Sequence, residues 1–218
     1  MNQTFRSRPV LVLATTAAAL SLSACAYDPA TSAETVSSGP DLAGIPAGTY
    51  ALDPAHGKIT WSVSHLGFST YTGQFPAVEA TLQLDPAKLQ NAKVTATIDL
   101  TEQGTLNEQL NGHLKTADFF DVENHPQARF VTTGVTVVDN DSATVDGELT
   151  LRGVTKPVRF TANFNKGAVN PLDKKFTLGF DGYATIKRSE FGVSYALPAV
   201  SDEVELHLEA EFKLQGES

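Results

Sequence analysis

From Gly48 onward, apolar residues recur at every second position of the chain. The run before the C-terminus shows this most clearly, because Val204, Leu206 and Leu208 alternate with Glu203 and Glu205. Strict alternation over five or more residues predicts a β-strand with one buried face and one wet face. Similar series follow one another from residue 59 to residue 214, and we therefore expect about eight strands.

Turn-forming residues separate these series at Arg152-Gly153 and at four further places, namely Asp85-Pro86, Asp139-Asn140-Asp141, Asn170-Pro171 and Asp181-Gly182. Most strands are therefore expected to pair with their neighbours in sequence. One-sided antiparallel strands bury their apolar faces either in a two-sheet sandwich or by closing into a barrel. The alternation alone does not decide between these two all-β architectures.

One segment departs from the two-residue period. Leu106, Leu110 and Leu114 are spaced as on one face of a helix, which predicts a short helix followed by a loop over residues 116–124. Phe119 and Phe120 are adjacent in this loop, and neighbouring residues of a regular strand point to opposite faces. We expect them to pack at the end of the fold, with capping of an opening as the alternative.

The first 24 residues have the composition of an export signal: a basic start, an apolar stretch and small residues before Cys25, the only cysteine. Leu22-Ser23-Ala24-Cys25 resembles the lipobox of bacterial lipoproteins, which implies cleavage before Cys25 and its acylation. The alternative is a free thiol beside an uncleaved membrane helix, but the apolar stretch is shorter than the ~20 residues that a span needs.

These features divide the chain into a signal over residues 1–24, a lipidated flexible tether over 25–47 and a barrel domain over 48–218. Ala26 follows the cysteine where an inner-membrane lipoprotein of enteric bacteria has aspartate. This resembles an outer-membrane address, so we expect the protein in the bacterial cell envelope, facing the periplasm.

The charge limits the possible partners. The chain has 16 basic and 25 acidic residues, a formal net charge of −9. Such a surface repels phosphate backbones, so nucleic acid is not expected as a partner and membrane attachment should come from the lipid anchor. The sequence also lacks the Gly-x-Ser-x-Gly motif of hydrolases, the zinc-binding helix motif and the phosphate-binding loop.

Several segments can be recognised together in their order along the chain: Asp53-Pro54-Ala55-His56, Val63-Ser64-His65-Leu66-Gly67-Phe68, Gly73-Gln74-Phe75, His113-Leu114-Lys115-Thr116-Ala117-Asp118-Phe119-Phe120-Asp121-Val122, His125-Pro126, Gly147-Glu148-Leu149-Thr150-Leu151-Arg152-Gly153 and Lys187-Arg188-Ser189-Glu190-Phe191-Gly192. This ordered set resembles the YceI family over residues 48–214. The resemblance implies a lipocalin-like antiparallel barrel whose interior binds a long polyisoprenoid chain, in members usually exported to the periplasm.

The chain departs from the family pattern at Leu110-Asn111, where an Arg-Asp pair is common. An arginine there could pair with a phosphate, and leucine cannot. A neutral ligand, such as an isoprenoid quinone or a free isoprenoid, is therefore favoured over a pyrophosphate.

We expect an isoprenoid-type lipid as the partner, no cofactor, no metal and no catalysis. The barrel wall or mouth is predicted to contain Trp61, Val63, His65, Phe68, Phe75, Ala96, Ile98, His113, Phe119, Phe120, Phe130, Phe160, Ala162, Phe180 and Arg188.

Two alternatives remain open. One is a structural or stress-related envelope lipoprotein whose barrel is filled by its own side chains. The other is a metal-assisted hydrolase that uses His56 and His65 with Asp53 or Asp118. The histidines do not pair at metal-binding spacing, which favours structural roles for them. A continuous apolar tunnel would favour a bound ligand, and a solid core would favour a scaffold. We predict a tunnel.

Overall fold

The computed structural model describes residue 42 and residues 44–216. The predictions for the signal, for Cys25 and for most of the tether lie outside the described residues. The described chain forms one α-helix, α1 (Glu108–Leu114), and the strands β1 (Gly48–Leu52), β2 (Lys58–His65), β3 (Ser69–Phe75), β4 (Val78–Leu84), β5 (Lys93–Asp99), β6 (Gln127–Val137), β7 (Ser142–Leu151), β8 (Val154–Val169), β9 (Phe176–Lys187) and β10 (Glu203–Leu214).

These ten strands occupy eight positions around a closed antiparallel barrel. β1 and β2 are two parts of one bent strand, interrupted at residues 53–57, and both pair with β10. β3 and β4 are likewise two parts of one position, where β3 pairs with β2 and β4 pairs with β1. The pairing of β1 with β10 closes the barrel, which confirms the predicted fold class.

Two hairpins turn through residues with positive φ. At Leu66-Gly67 the φ angles are 52° and 74°, and at Arg152-Gly153 they are also 52° and 74°. Two-residue turns of this kind match the right-handed twist of the flanking strands. The turn predicted at Arg152-Gly153 is therefore confirmed.

The turn predicted at Asp181-Gly182 is wrong, because both residues lie inside β9. Gly182 pairs with Ala162 on one side and with Leu208 on the other. A Cβ atom at Gly182 would lie 3.1 Å from Leu208 Cδ1. The glycine is needed for close packing inside the barrel, and not for a change of chain direction.

The helix α1 closes one end of the barrel, in agreement with the predicted short helix. The side chain of Asn107 caps its first turn by accepting a hydrogen bond from Leu110 N at 3.1 Å. Leu114 is buried, and it packs in a cluster with Trp61 and Phe75. No helix among the described residues is long and apolar enough to cross a bilayer.

The buried side chains form two clusters in opposite halves of the barrel. The first surrounds Trp61 in the half closed by α1, and the second surrounds Tyr50 in the other half. We call the end that carries α1 the closed end. The opposite end, where β1 begins and where the β4–β5, β6–β7 and β8–β9 connections lie, is called the cavity end.

Candidate functional site: an apolar cavity in the barrel

A cavity lies inside the barrel and reaches the loops of the cavity end. The space that the centre of a water molecule can reach in it measures about 210 Å³. On this measure a single water needs only about 10–15 Å³. The cavity therefore has room for a ligand much larger than one water.

Small side chains on neighbouring strands create this space. Ala80 of β4 pairs with Ala96 of β5, and on the other side of the barrel Ala162 of β8 pairs with both Ala143 and Gly182. All five residues line the cavity. Because small residues are adjacent across the strands, this part of the wall leaves space in the interior.

Further apolar side chains, most of them larger, complete the wall. The members outside the row of small residues are Leu42, Ile45, Leu52, Ile59, Val78, Leu82, Leu84, Leu89, Ala92, Val94, Val135, Val137, Val145, Phe160, Phe164, Phe180, Leu208, Ala210 and Phe212. Apart from Leu52, Val135 and Val137, the strand residues among them belong to alternating series that the sequence predicted to face inward. The interior surface is therefore hydrocarbon, which suits an apolar ligand.

Polar residues contribute mainly where the cavity meets solvent. Asp139, Asn140 and Asp141 are exposed residues of the β6–β7 turn, and they form part of the lining. Asp139 Oδ1 accepts hydrogen bonds from the backbone N–H and the hydroxyl of Ser142, at 2.8 and 2.6 Å. These bonds, led by the one from the hydroxyl, lower the pKa of Asp139 below its ordinary value. The turn is thus stabilised by hydrogen bonds between its own residues, and its polar side chains face water.

Two further polar residues of the lining, Lys58 and Glu209, form an ion pair with each other. Both belong to outward-facing rows of their strands, next to the inward-facing Ile59 and Leu208. No other basic side chain belongs to the lining within the part of the chain that the structure describes. A phosphate group would therefore find no unpaired cation in this wall.

The segment before β1 covers part of the cavity. Leu42 and Ile45 belong to the lining, and Ile45 is buried. The hydroxyl of Tyr50, a fully buried side chain, donates a hydrogen bond of 2.6 Å to Pro46 O. The packed chain therefore begins before residue 48, where the sequence suggested the end of a flexible tether.

The half of the barrel at the closed end is filled with aromatic side chains. Phe75 and Phe120 make an edge-to-face contact with a centroid distance of 5.5 Å, and Trp61 stacks with Tyr71 at 6.2 Å. Phe191, which is 1% exposed, belongs to the same cluster. The interior therefore differs from the continuous tunnel that the sequence predicted, because a cavity occupies one half and a packed core fills the other.

Four of the predicted site residues are brought together at the cavity: Ala96, Phe160, Ala162 and Phe180. Phe130 is next to this wall, and its ring packs edge-to-face on that of Phe160, with a centroid distance of 5.5 Å. The predicted residues that lie in the filled half or at the closed end are Trp61, Val63, His65, Phe68, Phe75, Ile98, His113, Phe119, Phe120 and Arg188.

Arg188, a candidate for contact with a headgroup, is engaged in the fold. Its guanidinium donates to four backbone carbonyls, those of Val193, Tyr195, Val200 and Ser201, at 2.8–3.0 Å. The side chain is 6% exposed, and burial lowers its pKa from the ordinary value. It holds the connection between β9 and β10 at the closed end, far along the barrel from the cavity lining.

The two histidines among the predicted site residues also lie at the closed end. His113 Nε2 is 2.8 Å from Asp118 Oδ2, and the imidazole packs edge-on against Phe119 and Tyr195. His65, an exposed residue, forms an isolated backbone bridge with Val200. Neither histidine faces the cavity.

One group of three possible metal ligands occurs among the described residues: Asp53, His56 and Glu211. Lys213 Nζ already lies 2.7 Å from Asp53 Oδ2 and 2.7 Å from Asp173 Oδ2. The bonds from Lys213 and then from His56 hold the pKa of Asp53 well below its usual range. Because a lysine ammonium occupies the carboxylate that a cation would need, the group is an ion-pair network on the outer surface.

Several cavity residues were not identified as site residues from the sequence. Val145 and Leu208 belong to predicted strands, but alternation reveals which face is buried and not the level along the barrel. Leu89, Ala92 and Leu42 lie outside the strands, where no periodicity marks them. The one available signal was the coincidence of alanine and glycine at inward positions, at Ala80, Ala96, Ala143, Ala162 and Gly182.

A closed eight-position antiparallel barrel with an apolar interior cavity defines a lipocalin-like binding fold. The family model described as a YceI-like domain matches residues 50–212. The chain belongs to this family, as the sequence motifs predicted.

Relatives and solved structures agree with this assignment. A UPF0312 protein of Pseudomonas putida strain W619 is 34% identical over 149 residues, covering 67% of this chain and 77% of the relative. The crystal structure of Burkholderia cenocepacia BcnA superposes with a TM-score of 0.67 at 26% identity, covering 73% of this chain and 98% of BcnA.

A third similar structure is a polyisoprenoid-binding domain from Saccharophagus degradans, implicated in plant cell wall breakdown. It has a TM-score of 0.60 at 16% identity and covers 76% of this chain and 98% of that domain. At this identity the likeness shows a shared fold.

Proposed function

We propose that the barrel binds a long apolar lipid of the isoprenoid type in its cavity and catalyses no reaction on it. The observation that carries this proposal is the hydrocarbon-walled space created by adjacent small residues. Each CH₂ group of a ligand buried there contributes about 0.8 kcal/mol. The affinity should therefore increase with the length of the ligand chain.

Membership of the YceI-like family supports this function, as does the shared fold with a domain described as polyisoprenoid-binding. The wall also favours a neutral headgroup, because Lys58, its one basic side chain among the described residues, is paired with Glu209. A quinone or an isoprenoid alcohol meets this requirement better than a pyrophosphate does.

The proposal includes an anchor on a membrane of the bacterial envelope, with the barrel in the periplasm. Its support is the sequence before Cys25 and the small, polar composition of the following segment. Acylation at one residue by several chains gives firm attachment, whereas a single chain holds only weakly.

The full-length chain, expressed in bacteria and purified gently, tests the function by organic extraction and mass spectrometry. We expect a long apolar molecule in stoichiometric amount. The N-terminal peptide of the same sample should begin at Cys25 and carry acyl chains. An empty barrel would contradict the binding function, and an unmodified Cys25 would contradict only the anchor.

Tryptophan substitutions in the wall test where the ligand lies. Ala96→Trp and Ala162→Trp place an indole in the cavity, and displacing two or more ligand CH₂ groups should lower the affinity about tenfold or more. Thr161→Trp is the matched control, because Thr161 is an exposed neighbour of Ala162 on the outer face. Equal recovery of lipid from all three variants would show that the ligand lies elsewhere.

A further inference from the structure

The loops of the cavity end carry exposed apolar side chains beside the mouth. Val137 and Val138 lie in the β6–β7 hairpin with 44% and 62% of their surface exposed. Val169 and Leu172 lie in the neighbouring β8–β9 hairpin with 57% and 91% exposed. The closed end also exposes apolar side chains, among them Phe68 at 89% and Leu106. The four at the cavity end differ because they lie on adjacent hairpins around an apolar opening, and such a patch is typical of an interaction surface.

The charge of this end differs from that of the rest of the molecule. The cavity-end segments 85–93, 138–142 and 166–175 contain five lysines and four aspartates, whereas the closed-end segments 100–126, 152–156 and 187–203 contain five basic and eight acidic residues. The loops of the cavity end therefore have no acidic excess, whereas those of the closed end have an excess of three acidic residues. A surface with anionic lipids would repel the closed end and not the cavity end.

The N-terminal chain also enters the fold at the cavity end. Leu42 lines the cavity, and β1 begins there. From Cys25 to Leu42 there are 17 residues, which span at most about 56–61 Å when extended. An anchor at Cys25 would hold the barrel near a membrane while leaving open which of its ends faces the lipid.

We propose that the cavity end lies on a lipid bilayer, with Val138 and Leu172 inserted at the boundary between headgroups and acyl chains. This orientation places the mouth against the membrane. This inference rests on the lipid-binding function proposed above. In this orientation an apolar ligand can pass between the bilayer and the cavity without crossing water. The partner is thus a lipid surface and not a second protein.

Tryptophan fluorescence in vesicles tests the orientation, using the full-length chain. The native Trp61 is 7% exposed and provides a constant background. Leu172→Trp places a reporter at the mouth, and Phe68→Trp places a matched reporter at the closed end, where Phe68 is 89% exposed. The vesicles contain phosphatidylcholine, phosphatidylglycerol and, as quencher, phosphatidylcholine with brominated acyl chains.

We expect the added fluorescence of Leu172→Trp to shift to shorter wavelength and to be quenched at least twofold, and that of Phe68→Trp to remain unquenched. Adding Val138→Asp to Leu172→Trp should reduce the quenching, whereas adding Leu66→Asp should not. Equal quenching of the two reporters, the reverse order or no quenching of either would overturn the proposal.

The orientation and the lipid-binding function can fail separately. Organic extraction of the same two reporter variants measures the bound lipid without reference to the vesicles. An empty barrel whose Leu172→Trp reporter is still quenched would contradict the binding function and retain the membrane contact. A barrel that contains lipid but whose two reporters are quenched equally would support the binding function and contradict the orientation.

Discussion

At the scale of single residues, Arg188 shows how a conspicuous charge can be structural. Its guanidinium satisfies four carbonyls of the segment that joins β9 to β10. Ser189 contributes to the same connection, since Asp202 accepts hydrogen bonds from its backbone N–H at 2.8 Å and from its hydroxyl at 2.7 Å. A guanidinium has several N–H donors in fixed directions and can therefore bond to several carbonyls at once, which the single ammonium of a lysine cannot reproduce.

Arg188→Lys should therefore lower the free energy of unfolding by about 2–4 kcal/mol, because buried carbonyls lose their donors. Urea denaturation measures this change. Arg159→Lys is the matched control: Arg159 is largely exposed and pairs with Asp146, so its replacement should change the stability by less than about 0.5 kcal/mol. Similar losses in both variants would argue against the structural role of Arg188.

At the scale of elements, Gly147 allows β6 and β7 to pack around an aromatic ring. A Cβ atom there would overlap the ring of Phe130 and lie 2.7 Å from Val131 O. The backbone oxygen cannot move away as a flexible side chain would. Phe130 in turn supports Phe160, a wall residue of the cavity.

Gly147→Ala is expected to destabilise the protein by about 1–3 kcal/mol through overpacking. Gly134→Ala, on β6, is the control, because a Cβ atom at Gly134 meets no atom within 4 Å. Thermal and urea unfolding of the two variants compare these effects. If the two alanine variants unfold alike, the close approach at Gly147 carries no energetic weight.

The elements also show what the sequence could predict. Alternation identified the inward faces of the strands, and helical spacing located α1 to within two residues of its start. Composition misled at Asp181-Gly182, since a glycine that suits a turn also suits a crowded barrel interior. The position of the cavity was not predictable, because a period of two gives the face of a residue and tells nothing about which cross-strand neighbours are small.

At the scale of the whole molecule, an ion-pair network ties together distant parts of the chain at the outer surface. Lys213 of β10 joins Asp53, in the connection between β1 and β2, to Asp173, in the connection between β8 and β9. The two aspartates hold the pKa of Lys213 above its ordinary value, and hydrogen bonds from Lys213 lower the pKa of both carboxyls. Stability should therefore depend on pH through this network.

The sign follows from the direction of the pKa changes. A carboxyl whose pKa is lower in the folded state stabilises the fold above its unfolded value, here 3.8, and this stability is lost as the pH falls through the folded pKa. Asp53→Asn should therefore make the acid-induced loss of stability shallower. The test is to measure the free energy of unfolding of both proteins from pH 6 to pH 2, at intervals of about one pH unit.

The background variant Lys213→Met provides the control for this prediction. Since the first cause of the lowered pKa is the bond from Lys213, Asp53→Asn should change the pH dependence much less when Lys213 is absent. An undiminished effect of Asp53→Asn in that background would assign the pH dependence to other groups.

The segment before β1 has a mechanical consequence. Leu42 and Ile45 line the cavity, and Pro46 O accepts a hydrogen bond from Tyr50. All three residues precede Gly48, the first paired residue of β1. A pulling force applied to the N-terminal side of this segment therefore acts on the cavity wall before it acts on the sheet. Tension on the N-terminal chain would therefore reach the cavity before it reaches the strands.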